Sequence, residues 1–120
     1  MARKEFFRGI DPQTRLRVLV VTEGGRVSRF MVQLETLIEE LWTPIARYDT
    51  HHGFAHLDLL HLDGAADKIL IVARDFNEAL QIAFADLLTN WDRHVKAYLE
   101  QEDEKKRVGI QKSCPGGGVR

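Results

Sequence analysis

Cysteine is nearly absent from this sequence. The one residue, Cys114, lies in a glycine-rich stretch. No internal disulfide or CxxC pair is possible, and a reducing, cytoplasmic setting is the expectation. Long apolar runs are missing too. The N-terminus, Met-Ala-Arg-Lys-Glu-Phe-Phe-Arg, has basic residues without the apolar segment of a secretory signal, so no membrane partner is expected. Charge of one sign is lacking: the formal net charge is −1, which excludes a global pull toward nucleic acid or anionic lipid and leaves only local patches. No Walker, Rossmann or Ser-hydrolase motif is present, and Gly24-Gly25 reads as a turn.

What remains is an ordinary globular composition, 44% hydrophobic and 29% charged, in 120 residues: enough for one modest core. Residues 1–13 are charged and carry Gly9 and Pro12, and are expected as an N-terminal arm from which Phe6, Phe7 and Ile10 can dock. Residues 14–102 are expected as a single α+β domain, and 103–120 as a flexible tail whose Glu102–Arg107 charge run is a solvated helix end.

Within the domain, Leu16–Thr22 is β-branched and short enough for a strand, and Glu23-Gly24-Gly25-Arg26 supplies a tight turn. From Val27 to Ile38, the residues Phe30, Val32, Leu34, Thr36 and Ile38 alternate against Arg29, Gln33 and Glu35, the period of a half-buried strand. Leu34, Leu37, Ile38 and Leu41 also fit a helix; the alternation starts earlier and favours the strand. Glu39-Glu40 closes the hairpin, and Trp42–Asp49 forms the next strand, with Pro44 pointing to an edge position or a strand beginning. Phe54–Leu60 and Lys68–Val72 complete an antiparallel sheet of four to five strands joined as a meander. Asp75 and Glu78 have capping-box spacing and open a long C-terminal helix of roughly 25 residues. Its apolar stripe, Ala79, Ala83, Leu87, Trp91, Val95 and Tyr98 among others, is expected to cover the sheet in a second layer. Trp91 and Tyr98 read as core residues, not as a stacking platform.

Chemistry-bearing residues concentrate between Arg47 and Gly64, where four of the five histidines (His51, His52, His56, His61) sit beside three aspartates, Arg47 and Tyr48. On a strand His56 and Asp58 share a face, about 6.6 Å apart. If the Thr50–Gly53 loop has even length, Arg47 stands opposite His56; with a glycine bulge, Tyr48 does. A histidine beside a carboxylate suits acid–base work near neutral pH, and an added guanidinium suits a phosphodiester. Solvated polar residues are the bland alternative. Metal binding is a third: His56-x-Asp58 offers two ligands, with His61, Asp49 or His94 as candidates for another, while the metal and any cofactor stay unknown.

The order Arg-Val-Ser-Arg-Phe-x-Val-Gln-Leu-Glu, then Arg-Tyr-Asp-Thr-x-His-Gly-Phe-Ala-His-x-Asp-Leu-Leu-His-x-Asp-Gly, then Asn-Glu-Ala-Leu and Asn-Trp-Asp-Arg resembles a bacterial domain family without an assigned function, over roughly residues 14–100. More distantly, the layout is similar to the TumE-type component of toxin–antitoxin pairs. That resemblance carries over Arg47, Tyr48, Asp49, His52 and His56. It implies a small component acting on or binding nucleic acid, with an antitoxin-like partner. His56 is then acid–base, Asp58 orients it, Arg47 contacts phosphate, and His52 and Tyr48 assist. The second expectation is a non-enzymatic adaptor or oligomeric binding module, a homodimer among its forms, whose exposed sheet face meets a partner protein.

Overall fold

The computed structural model describes residues 1–113, with side chains described through Gln101. The expected tail, 103–120, lies outside the residues whose side chains are described. Strands β1 (Ala2–Asp11), β2 (Thr14–Glu23), β3 (Arg26–Ile38), β4 (Leu41–Asp49), β5 (His56–Leu60) and β6 (Ala66–Leu70) precede one helix, α1 (Phe76–Ser113). The strands pair in sequence order, each antiparallel to the next. The α+β architecture and the meander are those the sequence implied. The sheet has six strands among the described residues, not four to five. The added one is β1, formed by the stretch expected as an arm: its charges are tolerated because β1 is an edge, almost wholly exposed.

Two hairpin turns of equal length differ in backbone cost. Gly24 and Gly25 take φ 57° and 77° between β2 and β3, as glycine does freely. Glu39 and Glu40 take φ 52° and 67° between β3 and β4, where side chains are strained. The edge position offered for Pro44 is corrected, because β4 lies inside the sheet, between β3 and β5. Its missing N–H is accommodated by a bulge: Leu34 pairs with Ala46 but Glu35 with Pro44, so the register slips around Ile45.

Period-2 alternation sorts the sheet into two faces. Leu16, Val18, Phe30, Val32, Leu34, Ala46, Tyr48 and Leu57 are buried on one of them, beneath the helix residues Ala79, Ala83, Leu87 and Tyr98. The alanines let the helix approach closely, and it packs chiefly over β3 and then β4, not across the whole sheet. Trp91 packs partly buried against this core. The first turn is pinned to the β2–β3 hairpin: Val27 N–H donates to Asn77 Oδ1 at 2.8 Å, and Arg26 pairs with Asp75 at 3.0 Å. Asp75 caps the Glu78 N–H at 2.9 Å, but Glu78 returns its carboxylate to Arg74, one residue short of a full capping box. Those Arg74 bonds hold the Glu78 carboxyl below the usual range. No helix among the described residues is long and apolar enough to cross a membrane.

Candidate functional site

The second sheet face is not covered by the helix, and it carries the opposite phase of every strand. Cross-strand pairing sets Phe7, Arg17, Gln33, Arg47, Asp58 and Lys68 in one line across all six strands. A parallel line runs through Leu19, Met31, Asp49, His56 and Leu70. A groove of about 930 Å³ lies on this face, lined by Phe7, Arg17, Arg29, Gln33 and Arg47, with His51 and His52 among its other residues.

From Arg47 and Gln33 in the groove a chain of partly buried polar contacts runs along the same face. Arg47 Nε donates to Gln33 Oε1 at 2.7 Å, Gln33 Nε2 donates to Glu35 Oε2 at 2.6 Å, and Arg15 Nε donates to Glu35 Oε1 at 2.8 Å. Arg15 also stacks with its guanidinium carbon 4.0 Å from the Phe7 ring and 4.0 Å from the Trp42 ring. Glu35 thus spends its charge on Arg15. Arg17 and Arg29 are exposed and form no ion pair among the described residues. The groove lining also holds two carboxylates, Asp49 and Glu5, the latter paired with Arg3; against three arginines this leaves a modestly cationic, partly aromatic surface on a protein of net charge −1.

At one end of the groove stand Asp49, His56 and Asp58. The hairpin register is neither of the two expected: Asp49 pairs with His56 and Arg47 with Asp58. The reason is the connection, a short 3₁₀ turn at His51–Gly53 with His52 in the left-handed region (φ 71°), which lengthens the loop beyond both expected forms. The loop is held by Thr50, whose hydroxyl accepts from Phe30 N–H at 3.1 Å, and by Asp49 Oδ1, which accepts from His51 N–H at 2.9 Å. His56 Nε2 lies 2.9 Å from Asp49 Oδ1 and 3.5 Å from Asp58 Oδ2. On the ring's other side Nδ1 is 3.2 Å from the Phe54 carbonyl, which can only accept, so Nδ1 carries the hydrogen. The Phe54 ring packs against the imidazole at 5.5 Å.

His56 and Asp58 share a face as the spacing required, yet the imidazole is only 1% exposed. Asp49 alone of the three lines the groove. Direct acid–base contact between His56 and a substrate in the groove is therefore blocked in this conformation. Tyr48 is a further correction. Strand alternation sends it to the helix side, where its hydroxyl donates to Asp86 Oδ2 at 2.7 Å. His94 Nε2 at 3.0 Å and Asn90 Nδ2 at 2.8 Å complete the shell around the Asp86 carboxylate. Burial pushes Asp86 upward, but the bonds from His94, Tyr48 and Asn90 outweigh it and hold its pKa at about 2. Burial, then the Asp86 bond and charge, push Tyr48 upward. His61, hydrogen-bonded to Asp67 and Gln101, has its pKa raised by those two contacts in that order. His61 and His94 thus stand apart from His56. His52 lies in the exposed turn, its ring 4.0 Å from His51, at the rim of the groove.

Residues 1–104 match the model of DUF7718, a domain of unknown function. The chain belongs to that family. The DUF7718 match extends over β1, so the edge strand is part of the family domain along with the stretch expected from sequence. No curated protein and no solved structure matches the chain significantly. Sequence reasoning did not single out Arg17 and Arg29. The signal was present in their phase: both fall on the strand positions that alternate away from Val18 and Phe30.

Proposed function

We propose that this DUF7718 protein is a nucleic-acid-binding component, of the toxin–antitoxin-like kind the Arg-Tyr-Asp-Thr segment suggests, and that it binds through the uncovered sheet face. The observation that carries the reading is the groove with three arginines, Arg17, Arg29 and Arg47, beside the Phe7 ring. Arg17 and Arg47 flank Gln33 on neighbouring strands, about 10 Å apart at two strand spacings. Arginines on strands at that spacing, with the Phe7 ring on the adjoining edge strand, suit a single strand whose phosphates pair with arginine while a base stacks. His52 and Asp49 lie at the rim, where they can contact the same strand.

Fluorescence anisotropy with short single-stranded RNA and DNA tests the reading. The wild type is expected to bind at low salt, and the double variant Arg17→Ala, Arg29→Ala to bind at least tenfold more weakly with its fold intact. Absence of binding by the wild type to either strand at low salt overturns it. The toxin-like form further expects slowed bacterial growth on expression without a partner; unimpaired growth counts against that form alone.

A second reading, an oligomeric or adaptor module, is favoured by the sheet edges. Phe6 on β1 is 42% exposed and Leu70 on β6 is 62% exposed. Unpaired edge strands with apolar side chains invite pairing with another chain. In that case Leu70→Lys, outside the groove, abolishes association in size-exclusion chromatography and leaves nucleic-acid binding unchanged.

A further inference from the structure

We infer that Asp49, His56 and Asp58 bind one first-row divalent cation, of the zinc or manganese class, at the end of the groove. One ligand atom from each residue lies within 4.8 Å of the others. The two separations from the imidazole also fit. Metal–ligand bonds of 2.0–2.2 Å set neighbouring ligand atoms about 3.0 Å apart at a right angle and about 3.4 Å apart in a tetrahedron. The Nε2 distances of 2.9 Å to Asp49 and 3.5 Å to Asp58 lie close to those values.

Because Nδ1 donates to the Phe54 carbonyl, a neutral His56 directs its Nε2 lone pair at two carboxylates. Three electron-rich atoms cannot converge in a buried site without a positive species between them: an additional proton or a metal ion. Backbone capture of the outer ring nitrogen is also the usual way a metal-bound histidine is oriented.

The second carboxylate oxygen of Asp58 separates the two cases. Asp58 is 7% exposed, and its Oδ1 is closed to solvent and makes no hydrogen bond. A proton on Nε2 satisfies Asp49 Oδ1 and reaches Asp58 Oδ2 but leaves Oδ1 with the Lys68 ion pair and no hydrogen bond. A cation held by both Asp58 oxygens takes up that atom as well. Lys68 Nζ lies 3.1 Å from Oδ1 and offsets its charge, but is half exposed and poorly directed for a hydrogen bond. A mixed set of two carboxylates and one imidazole suits manganese or zinc better than calcium, which takes all-oxygen shells, or copper(I), which takes sulfur. Asp49 borders the groove, so positions left open on the ion face it. The inference stands on this cluster and not on nucleic-acid binding.

Equilibrium dialysis and thermal denaturation of the full, metal-stripped chain with zinc or manganese, in the absence of nucleic acid, test it. The wild type is expected to bind one equivalent of at least one of the two ions and to gain several degrees in Tm. Asp49→Asn, which alters the most accessible ligand, is expected to lose at least tenfold in affinity while keeping its circular-dichroism spectrum. The control His51→Ala, His52→Ala is expected to bind as the wild type does. Three results overturn the assignment: wild type without stoichiometric uptake of either ion, Asp49→Asn and Asp58→Asn binding undiminished, or affinity lost in the His51, His52 control instead.

Discussion

At Asp86 three donors from two elements converge on one carboxylate, and the consequence is a measurable pH dependence. Its pKa in the folded chain is about 2, against an ordinary value of 3.8, so the unfolded chain takes up the proton first. The contribution is whole above about pH 4 and is lost as pH falls through about 2. Allowing for solvent screening of a partly exposed group, it is roughly 1–2 kcal/mol. Urea unfolding at pH 5 and pH 2.5 should show a smaller difference in Asp86→Asn than in the wild type. Tyr48→Phe removes one of the three donors and is expected to cost about 1 kcal/mol of stability. It should leave nucleic-acid affinity unchanged, because the hydroxyl lies on the helix side. The same substitution separates what was readable from what was not. The proximity of Arg47, Tyr48 and His56 in sequence is plain, but a single strand alternates its side chains, so adjacency places Tyr48 on the wrong face for the cluster.

Among the elements, the hairpins make the clearest comparison. Gly24-Gly25 occupies left-handed backbone at little cost, while Glu39-Glu40 holds similar angles with side chains present. Replacing Glu39-Glu40 by Asn-Gly is expected to stabilise the chain by about 1–2 kcal/mol, read as a rise in Tm. Gly25→Ala is expected to do the reverse, by about 1 kcal/mol. Leu87 is fully buried in the helix–sheet core, and Leu87→Ala should cost about 2–5 kcal/mol in urea unfolding. The strands from Thr14 to Asp49 and the start of α1 are legible from periodicity, since Phe30, Val32 and Leu34 repeat every two residues while Ala79, Ala83 and Leu87 repeat every four. β1 is not legible. An edge strand exposed on both sides has no apolar phase to show, and Lys4, Glu5 and Arg8 read as an arm. The β4–β5 register is hidden for another reason: it depends on His52 entering the left-handed region, a choice that composition does not dictate.

For the whole molecule, the asymmetry between the two sheet faces is the main fact. One face is covered over β3 and β4 by α1; the other gathers arginines from β2, β3 and β4 although the chain as a whole is almost neutral. Composition sums charge and discards phase, so this surface becomes visible only when the meander aligns Arg17 with Gln33 and Gln33 with Arg47. Each phosphate contact that is lost should lower the salt slope of single-strand binding by about 0.7, so the Arg17→Ala, Arg29→Ala variant is expected to fall by roughly 1.4 if both arginines engage. The most direct measurement is a nuclear magnetic resonance titration of the labelled chain with a short single-stranded RNA. Shift changes are expected at Arg17, Arg29, Gln33, Arg47 and Asp49, with Ala83, Asp86 and Leu87 on the helix unmoved. Changes confined to the helix, or none at low salt, contradict binding through the groove.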